Sequence, residues 1–239
     1  MIDILAISPH PDDAEIGCGG LLLLCKKQGR KTGILHMTLG EMGTGGTDEI
    51  RLEEMKNAAN MLELDFMEHA GFKDCQITDS FENRLTIARY IRQLKPKIVL
   101  LPYWNGVPGR GIGHTDHLTT GLIASHAVNF ARLRKMPIEE KPHGVKQVLY
   151  YLFPREIKPT FIADITDVAH QWIQALKCHH SQMFGPHARK TGFFRMLLSY
   201  SNQMGFQIGA RYGLGFIAAD PLKIQDPFTL IGEHSEKSF

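Results

Sequence analysis

The sequence predicts an α/β fold in three layers, with helices on both faces of a mostly parallel central sheet. Three observations point there. Strand and helix patterns alternate through the first hundred residues, the signature of βαβ units. The first and fourth strand runs, Ile4-Leu5-Ala6-Ile7 and Ile98-Val99-Leu100-Leu101, are continuously apolar, as strands covered on both faces require. The chain has 239 residues, enough for one sizeable core and too few for two ordinary ones.

The elements follow in order. Ile2–Ser8 is the first strand. Ala14–Gly29 reads as a helix, apolar at Ile16, Leu21, Leu24 and Cys25, with Gly29 as its stop. Lys31–Leu39 alternates loosely and reads as the second strand. A glycine-rich loop, 40–47, follows. Thr47 is the N-cap of a helix through about Leu62, with Asp48 and Glu49 in its first turn. Asp65–Ala70 is a short third strand, and Phe81–Leu94 a helix ended by Pro96. Lys97–Pro102 is the fourth strand. Tyr103–Gly113 carries glycines and Pro108 and no periodicity, and loops of that length in compact domains are often functional. Thr115–Arg134 reads as a helix. Lys146–Phe153 and Thr160–Asp164 are two further strands. Asp167–Met183 is a helix with Val168, Trp172, Ala175 and Leu176 on its apolar face, and Gly192–Gly205 is another. The segment Phe193–Phe206 is read as ordinary core, with an interface or a pocket wall as the alternative. The tail after Asp220 reads as coil. Right-handed βαβ units of this kind give a Rossmann-like arrangement, and with no repeat or linker the span 1–239 is expected to be one domain.

Composition excludes several classes. Hydrophobic residues make up 43% and charged ones 22%, ordinary for a globular chain. A net charge of +2 gives no basic field for nucleic acid. Leu21–Leu24 is too short an apolar run to span a bilayer, so no membrane partner is expected. The apolar start is a strand rather than a secretory signal, because it lacks a positive flank and His10-Pro11-Asp12-Asp13 interrupts it. The four cysteines, Cys18, Cys25, Cys75 and Cys178, include no C-x-x-C pair and read as reduced thiols of a cytoplasmic protein, with Cys18 and Cys25 in the core. Twelve histidines favour a metal site.

Two clusters carry the chemistry. His10, Asp12 and Asp13 end the first strand. On a strand-to-helix path, residues i and i+3 can converge while i+2 points beside them. The bland account is one aspartate capping the helix, but capping needs only one carboxylate. The second cluster, Gly113-His114-Thr115-Asp116-His117, follows the fourth strand, with His114 and His117 on one helix face. Its bland account is a polar helix start with Asp116 as a first-turn anion. If strands one and four are neighbours, both clusters open into one crevice at the topological switch point. Three protein ligands with an open position are the catalytic zinc pattern. A spare carboxylate can take a proton from water, and a spare histidine can stabilise an oxyanion or protonate a leaving group. Such parts hydrolyse an amide or ester. Spacing alone leaves open whether Asp12 or Asp13 is the ligand. Arg51, beyond the glycine-rich loop, either lies on a solvated helix face with Glu53 and Glu54 or binds an anionic part of a substrate. The glycines at 17, 19, 20 and at 43, 45, 46 do not fit the dinucleotide fingerprint, which argues against a nicotinamide cofactor.

Pro9-His10-Pro11-Asp12-Asp13-x-Glu15-x-Gly17-x-Gly19-Gly20 resembles the opening signature of the PIG-L-type zinc N-acetylglucosaminide deacetylases, and Gly113-His114-x-Asp116-His117 resembles their second. Gly40-Glu41-x-Gly43-Thr44 with Thr47 and Arg51, and Gly209-x-Arg211-Tyr212-Gly213-x-Gly215-Phe216, are similar to the bacterial branch that makes bacillithiol. The resemblance implies that His10, Asp13 and His117 hold zinc and that Asp12 is the general base. It implies that His114 stabilises the oxyanion or acts as acid, oriented by Asp116, and that Arg51 contacts substrate. It also implies an assembly of several identical subunits. The implied substrate is a small amino sugar, N-acetylglucosaminyl-L-malate. The alternatives are another N-acetylated conjugate, such as a disaccharide or a mycothiol-type molecule, and a sugar-binding module with a silent metal site. Imidazole and carboxylate ligands also accept iron(II) or cobalt. Three positions depart from the bacillithiol pattern: Gly45 in place of arginine, Leu214 in place of a small or acidic residue, and Gly113 before His114, with Arg110 nearby. These departures bear on the aglycone, not on the chemistry.

Overall fold

A computed structural model describes residues 1–107, 109 and 113–230, apart from the side chains at 187, 229 and 230. Positions 108 and 110–112, Arg110 among them, and the tail beyond 230 lie outside the described residues. The strands are β1 (Ile4–Ser8), β2 (Thr32–His36), β3 (Phe66–His69), β4 (Ile98–Pro102), β5 (Gln147–Tyr151), β6 (Phe161–Asp164) and β7 (Gly213–Ala218). They form one sheet in the order β3-β2-β1-β4-β5-β7-β6. The first five pair in parallel, and β7 runs antiparallel to both β5 and β6. Strands β1 and β4 are direct neighbours, with Ile4 opposite Ile98, so the order reverses between them. The expected α/β class, with its mostly parallel sheet, is what the chain adopts.

The period-2 alternation of strand side chains builds the layers. Ile4, Ala6, Ile34 and Leu100 join one core with Leu22, Leu23, Trp172 and Phe216. Leu5, Ile7, Leu35, Val99 and Leu101 join the other, with Ile87, Ile91 and Ile123. Helices α1 (Asp13–Lys27) and α5 (Ala169–Cys178) thus cover one face of the sheet. Helices α3 (Phe81–Leu94) and α4 (Thr115–Arg132) cover the other, while α2 (Asp48–Met61) packs beside α5. The glycines of α1 serve this packing. A Cβ at Gly17 would strike the Tyr151 ring, and one at Gly20 would lie 2.8 Å from Ile165. Cys18 is buried and Cys25 packs against the same core, as expected.

Three features differ from the sequence expectations. Strand β7 was not anticipated. Its Gly213 and Gly215 weaken the strand pattern, yet both are needed, because a Cβ at 213 would sit 2.7 Å from the Gly205 backbone and one at 215 would meet Phe153 at 3.0 Å. The expected helix 167–183 breaks at His179 into α5 and the short α6 (His180–Met183), preceded by a 3-10 turn at Thr166–Val168. A further short helix, α7 (Pro186–Thr191), precedes α8 (Phe193–Phe206). In α8 the Ser201–Met204 face is buried, but Met196 and Phe206 are exposed, so core packing accounts for only part of that segment. Among the described residues no helix is long and apolar enough to cross a membrane.

Candidate active site

Strands β1 and β4 deliver both sequence clusters to one crevice at the switch point. The turn after β1 is shaped by Ser8, whose hydroxyl donates to the His10 carbonyl (2.7 Å) and accepts the Ala14 N–H (3.1 Å). Ser8 therefore supplies a first-turn amide of α1 with its acceptor, and the Asp13 carboxylate turns to the histidines instead. Asp13 Oδ2 lies 3.0 Å from His10 Nδ1 and 3.1 Å from His117 Nε2. His117 comes from the first turn of α4, and the two rings are 5.5 Å apart, centroid to centroid. His114 caps α4, with its ring 5.0 Å from that of His10 and edge-on to it. Asp12 precedes α1 with φ 110° and ψ −31°, a region that side-chain-bearing residues rarely adopt. Backbone strain of that kind, of order 1–3 kcal/mol, clusters at functional sites.

Electrostatics mark the crevice as a cation site. Burial opposes charge on His10, but hydrogen bonds to Asp116, Asp13 and Asp74 push its pKa up to about 12. The crevice thus demands positive charge where the ring stands. Burial would raise the Asp13 pKa, but the His117 and His10 charges hold it well below the usual carboxylate range. Burial and the Asp13 charge raise Asp12 to about 7. Burial and the charges of His10 and His117 lower His114.

The two donor pairs around Asp13 have the spacing of a divalent centre. A tetrahedral centre with bonds of 2.0–2.1 Å separates its ligand atoms by about 3.3 Å, close to the 3.0 and 3.1 Å around Asp13 Oδ2. Among the described residues, the groups of three whose ligand atoms all lie within 4.8 Å of one another are His10, His114 and His117, and His10, Asp74 and Asp116; the expected trio of His10, Asp13 and His117 is not among them.

The structure assigns Asp116 a different neighbour from the one expected. Its carboxylate does not reach His114. Oδ2 accepts the Cys75 N–H at 2.8 Å and lies 3.4 Å from His10 Nε2. Only the Asp116 backbone touches His114, donating its N–H to Nδ1 at 3.3 Å. Asp116 is fully buried two residues beyond the cap, and there its carboxylate meets Cys75 and His10. The bond has a consequence: with Nδ1 accepting, the proton of a neutral His114 sits on Nε2.

Arg51 also stands elsewhere than on a substrate-facing surface. It is 5% exposed, and its guanidinium donates to the Gly40 carbonyl (2.6 Å) and the Pro11 carbonyl (2.9 Å). Gly40, at φ 68°, allows this approach, since a Cβ there would overlap the guanidinium. At the other departures, a Cβ at Gly45 would lie 2.7 Å from the Ser181 carbonyl and 2.9 Å from the Gln182 amide, which itself closes the loop onto Gly45 O at 2.7 Å. Leu214 is a core residue.

Asp74 and Glu15 also support the site; Asp74 was not singled out in the sequence, and Glu15, though part of the opening signature, had no expected role there. Asp74 Oδ1 lies 3.1 Å from His10 Nε2, and its other oxygen accepts the Met42 N–H. It stands in an irregular stretch with no motif spacing to announce it. Glu15 is 1% exposed behind the crevice, with His179 Nε2 at 3.2 Å and His36 Nε2 at 3.7 Å from its Oε1. A charged residue on the buried face of α1 was the available signal.

Comparison with known proteins agrees with this geometry. The family model described as PIG-L, GlcNAc-PI de-N-acetylase, matches residues 5–128. The diacetylchitobiose deacetylase of Thermococcus kodakarensis is 33% identical over 192 residues, 75% of this chain and 69% of that protein. A probable N-acetyl-alpha-D-glucosaminyl L-malate deacetylase 2 of Bacillus subtilis is 27% identical over 195 residues, 76% of this chain and 84% of that protein. The crystal structure of the conserved protein TT1542 from Thermus thermophilus superposes with a TM-score of 0.85 at 35% identity, covering 94% of this chain and 97% of that one. With both signatures meeting at one sheet edge and the family model spanning more than half its length, this chain belongs to the PIG-L family of de-N-acetylases.

Proposed function

We propose that this chain is a metal-dependent hydrolase that removes the acetyl group from an N-acetylglucosaminide. The observation that carries the reading is the Asp13 carboxylate held between His10 and His117, with Asp12 adjoining it and His114 across the crevice. His10, Asp13 and His117 would hold the ion, zinc by ligand type, with iron(II) also compatible. When bound, the ion supplies Lewis-acid polarisation of the acetyl carbonyl and acidifies water for attack. Asp12 is the general base. Burial and the neighbouring Asp13 charge raise its pKa above the usual carboxylate value, which makes the carboxylate a better acceptor for the water proton. His114 accepts the Asp116 N–H at Nδ1, which leaves the proton of the neutral ring on Nε2, so it donates to the oxygen that becomes negative as water adds. The C–N bond then breaks, the sugar amine leaves with a proton, and acetate remains. Asp116 and Asp74 hold His10 from its far side.

The finer substrate is N-acetylglucosaminyl-L-malate. The loop 40–51 and the Bacillus subtilis relative support it. A second reading, an acetylated disaccharide, is favoured by one specific observation. Arg51, the group expected to receive the malate carboxylate, already serves two backbone carbonyls, and a neutral aglycone does not call on it. The Thermococcus relative points the same way. The test is acetate release from malate-linked and disaccharide substrates by protein of measured metal content. Turnover of either supports deacetylation, and their ratio decides the aglycone. Metal-loaded protein that binds these sugars and releases no acetate is instead a binding module.

A further inference from the structure

Asp12 owes its unusual conformation to the peptide before it. The Pro11–Asp12 peptide is gripped at both ends: its carbonyl accepts Arg51 Nη2 at 2.9 Å, and its N–H donates to Glu15 Oε2 at 3.2 Å. The orientation of that peptide plane sets φ at Asp12. Glu15 occupies the N3 position of α1, where a capping-box glutamate is ordinarily a surface group. Here it is buried and held in turn. Its Oε1 accepts the Nε2–H of His179 at 3.2 Å, and His36 Nε2 faces the same oxygen at 3.7 Å. All three side chains are at most 1% exposed. His179 stands at the break between α5 and α6. None of the three faces the crevice where a sugar would lie, and the proposed chemistry leaves them without a task.

We propose that Glu15, fixed by His179, is a positioning residue that locks the Pro11–Asp12 peptide and so aims the Asp12 carboxylate, resting on the reading of Asp12 as the base. A helix cap that only stabilises α1 would not need a buried histidine behind it. A positioning group alters turnover when removed, because a displacement of about 1 Å at a reacting group costs on the order of 100-fold in rate. Substrate and metal binding are left alone.

The test uses full-length, metal-loaded protein and the N-acetylglucosaminide that the wild type turns over best. Glu15→Ala is expected to lower kcat by roughly 10- to 100-fold, with KM and metal stoichiometry unchanged. Glu15→Gln keeps an acceptor for the Asp12 N–H, and His179, whose Nδ1 has no partner, can switch tautomer to accept from the new amide. This variant is expected to recover most of the lost kcat. Crystal structures of both variants provide a readout independent of activity: Asp12 leaves positive φ in Glu15→Ala and retains it in Glu15→Gln. His179→Ala, whose side chain lies farther from the turn, carries the same two measurements should Glu15→Ala not fold, with a smaller loss in kcat expected. Wild-type kcat together with an unmoved Asp12 in these variants overturns the proposal, as does a loss confined to KM or to metal content. If the wild type itself releases no acetate, the proposed function fails, and the peptide clamp is decided by the Asp12 conformation alone.

Discussion

Asp12→Asn separates the proposed base from the proposed ligands. Asparagine matches aspartate in size and tolerates positive φ, so the turn, the Glu15 bond to the backbone N–H and the three proposed metal ligands stay in place. What disappears is a proton acceptor. General-base catalysis contributes about 100- to 10,000-fold, so kcat should fall within that range while bound metal is unchanged. Stability should move the other way. In metal-free protein the Asp12 pKa is raised from 3.8 to about 7, chiefly by burial and then by Asp13. The folded state therefore holds this proton more tightly than the unfolded state. The ionised carboxylate costs stability progressively as pH rises from about 4 to 7, and fully above that. At about 1.4 kcal/mol per unit the ceiling is on the order of 4 kcal/mol. Chelated Asp12→Asn should then melt several degrees above chelated wild type at pH 8 and match it at pH 4, in paired thermal scans. Retained kcat would remove Asp12 from the role of base, and loss of metal would make it a ligand.

Other perturbations probe the site and its frame. His117→Ala removes one of the two rings that bracket Asp13, and metal analysis after dialysis should show at least a tenfold weaker site, whereas retained stoichiometry would point to another ligand set. Gly40→Ala places a Cβ against the Arg51 guanidinium at φ 68°, and urea unfolding should show a loss of at least about 2 kcal/mol. Arg92, 1% exposed, donates to the carbonyls of Ala131, Leu133, Ile138 and Glu140. Arg92→Ala removes all four bonds, and although Ala131 O and Leu133 O keep the N–H groups of His143 and Met136, the Ile138 and Glu140 carbonyls lose their guanidinium donor, so stability should fall by about 2 kcal/mol or more with kcat unchanged; a loss under about 1 kcal/mol would show that water replaces it.

The parts of this fold that were readable in the sequence are those whose local signals agree with their packing. Helix α3 spans Phe81–Leu94 as expected, because Ser80 caps it and Ile87, Ala88 and Ile91 share one buried face. The pairing of β1 with β4, which brings the two clusters together, entered the sequence reading only as a condition, because a parallel βαβ order does not fix which strands are neighbours; the structure supplies it. Strand β7 was hidden because the glycines that let it pass close to α8 and Phe153 also weaken its strand signal. The break at His179 was hidden, and the contact made there is long-range: Glu15 lies 164 residues away in sequence. In the site, His10, Asp13 and His117 were legible as motifs. The direction of the Asp116 carboxylate was not, since its partners Cys75 and His10 are distant in sequence. Asp74 reaches His10 from a coil with no periodicity, so only the tertiary fold discloses it. Arg51 was legible as a cation near the loop, but its burial against Gly40 and Pro11 was not.

The central claim is that this crevice uses a bound metal ion to hydrolyse the acetamide of an amino sugar. The most direct measurement is acetate release from N-acetylglucosaminyl-L-malate and from diacetylchitobiose, with metal content determined on the same sample, before chelation, after it, and after zinc is restored. Acetate production should be lost with the metal and return with it, at about one ion per chain. Fully metal-loaded protein that releases no acetate from either sugar, or turnover that persists in metal-free protein, would contradict it.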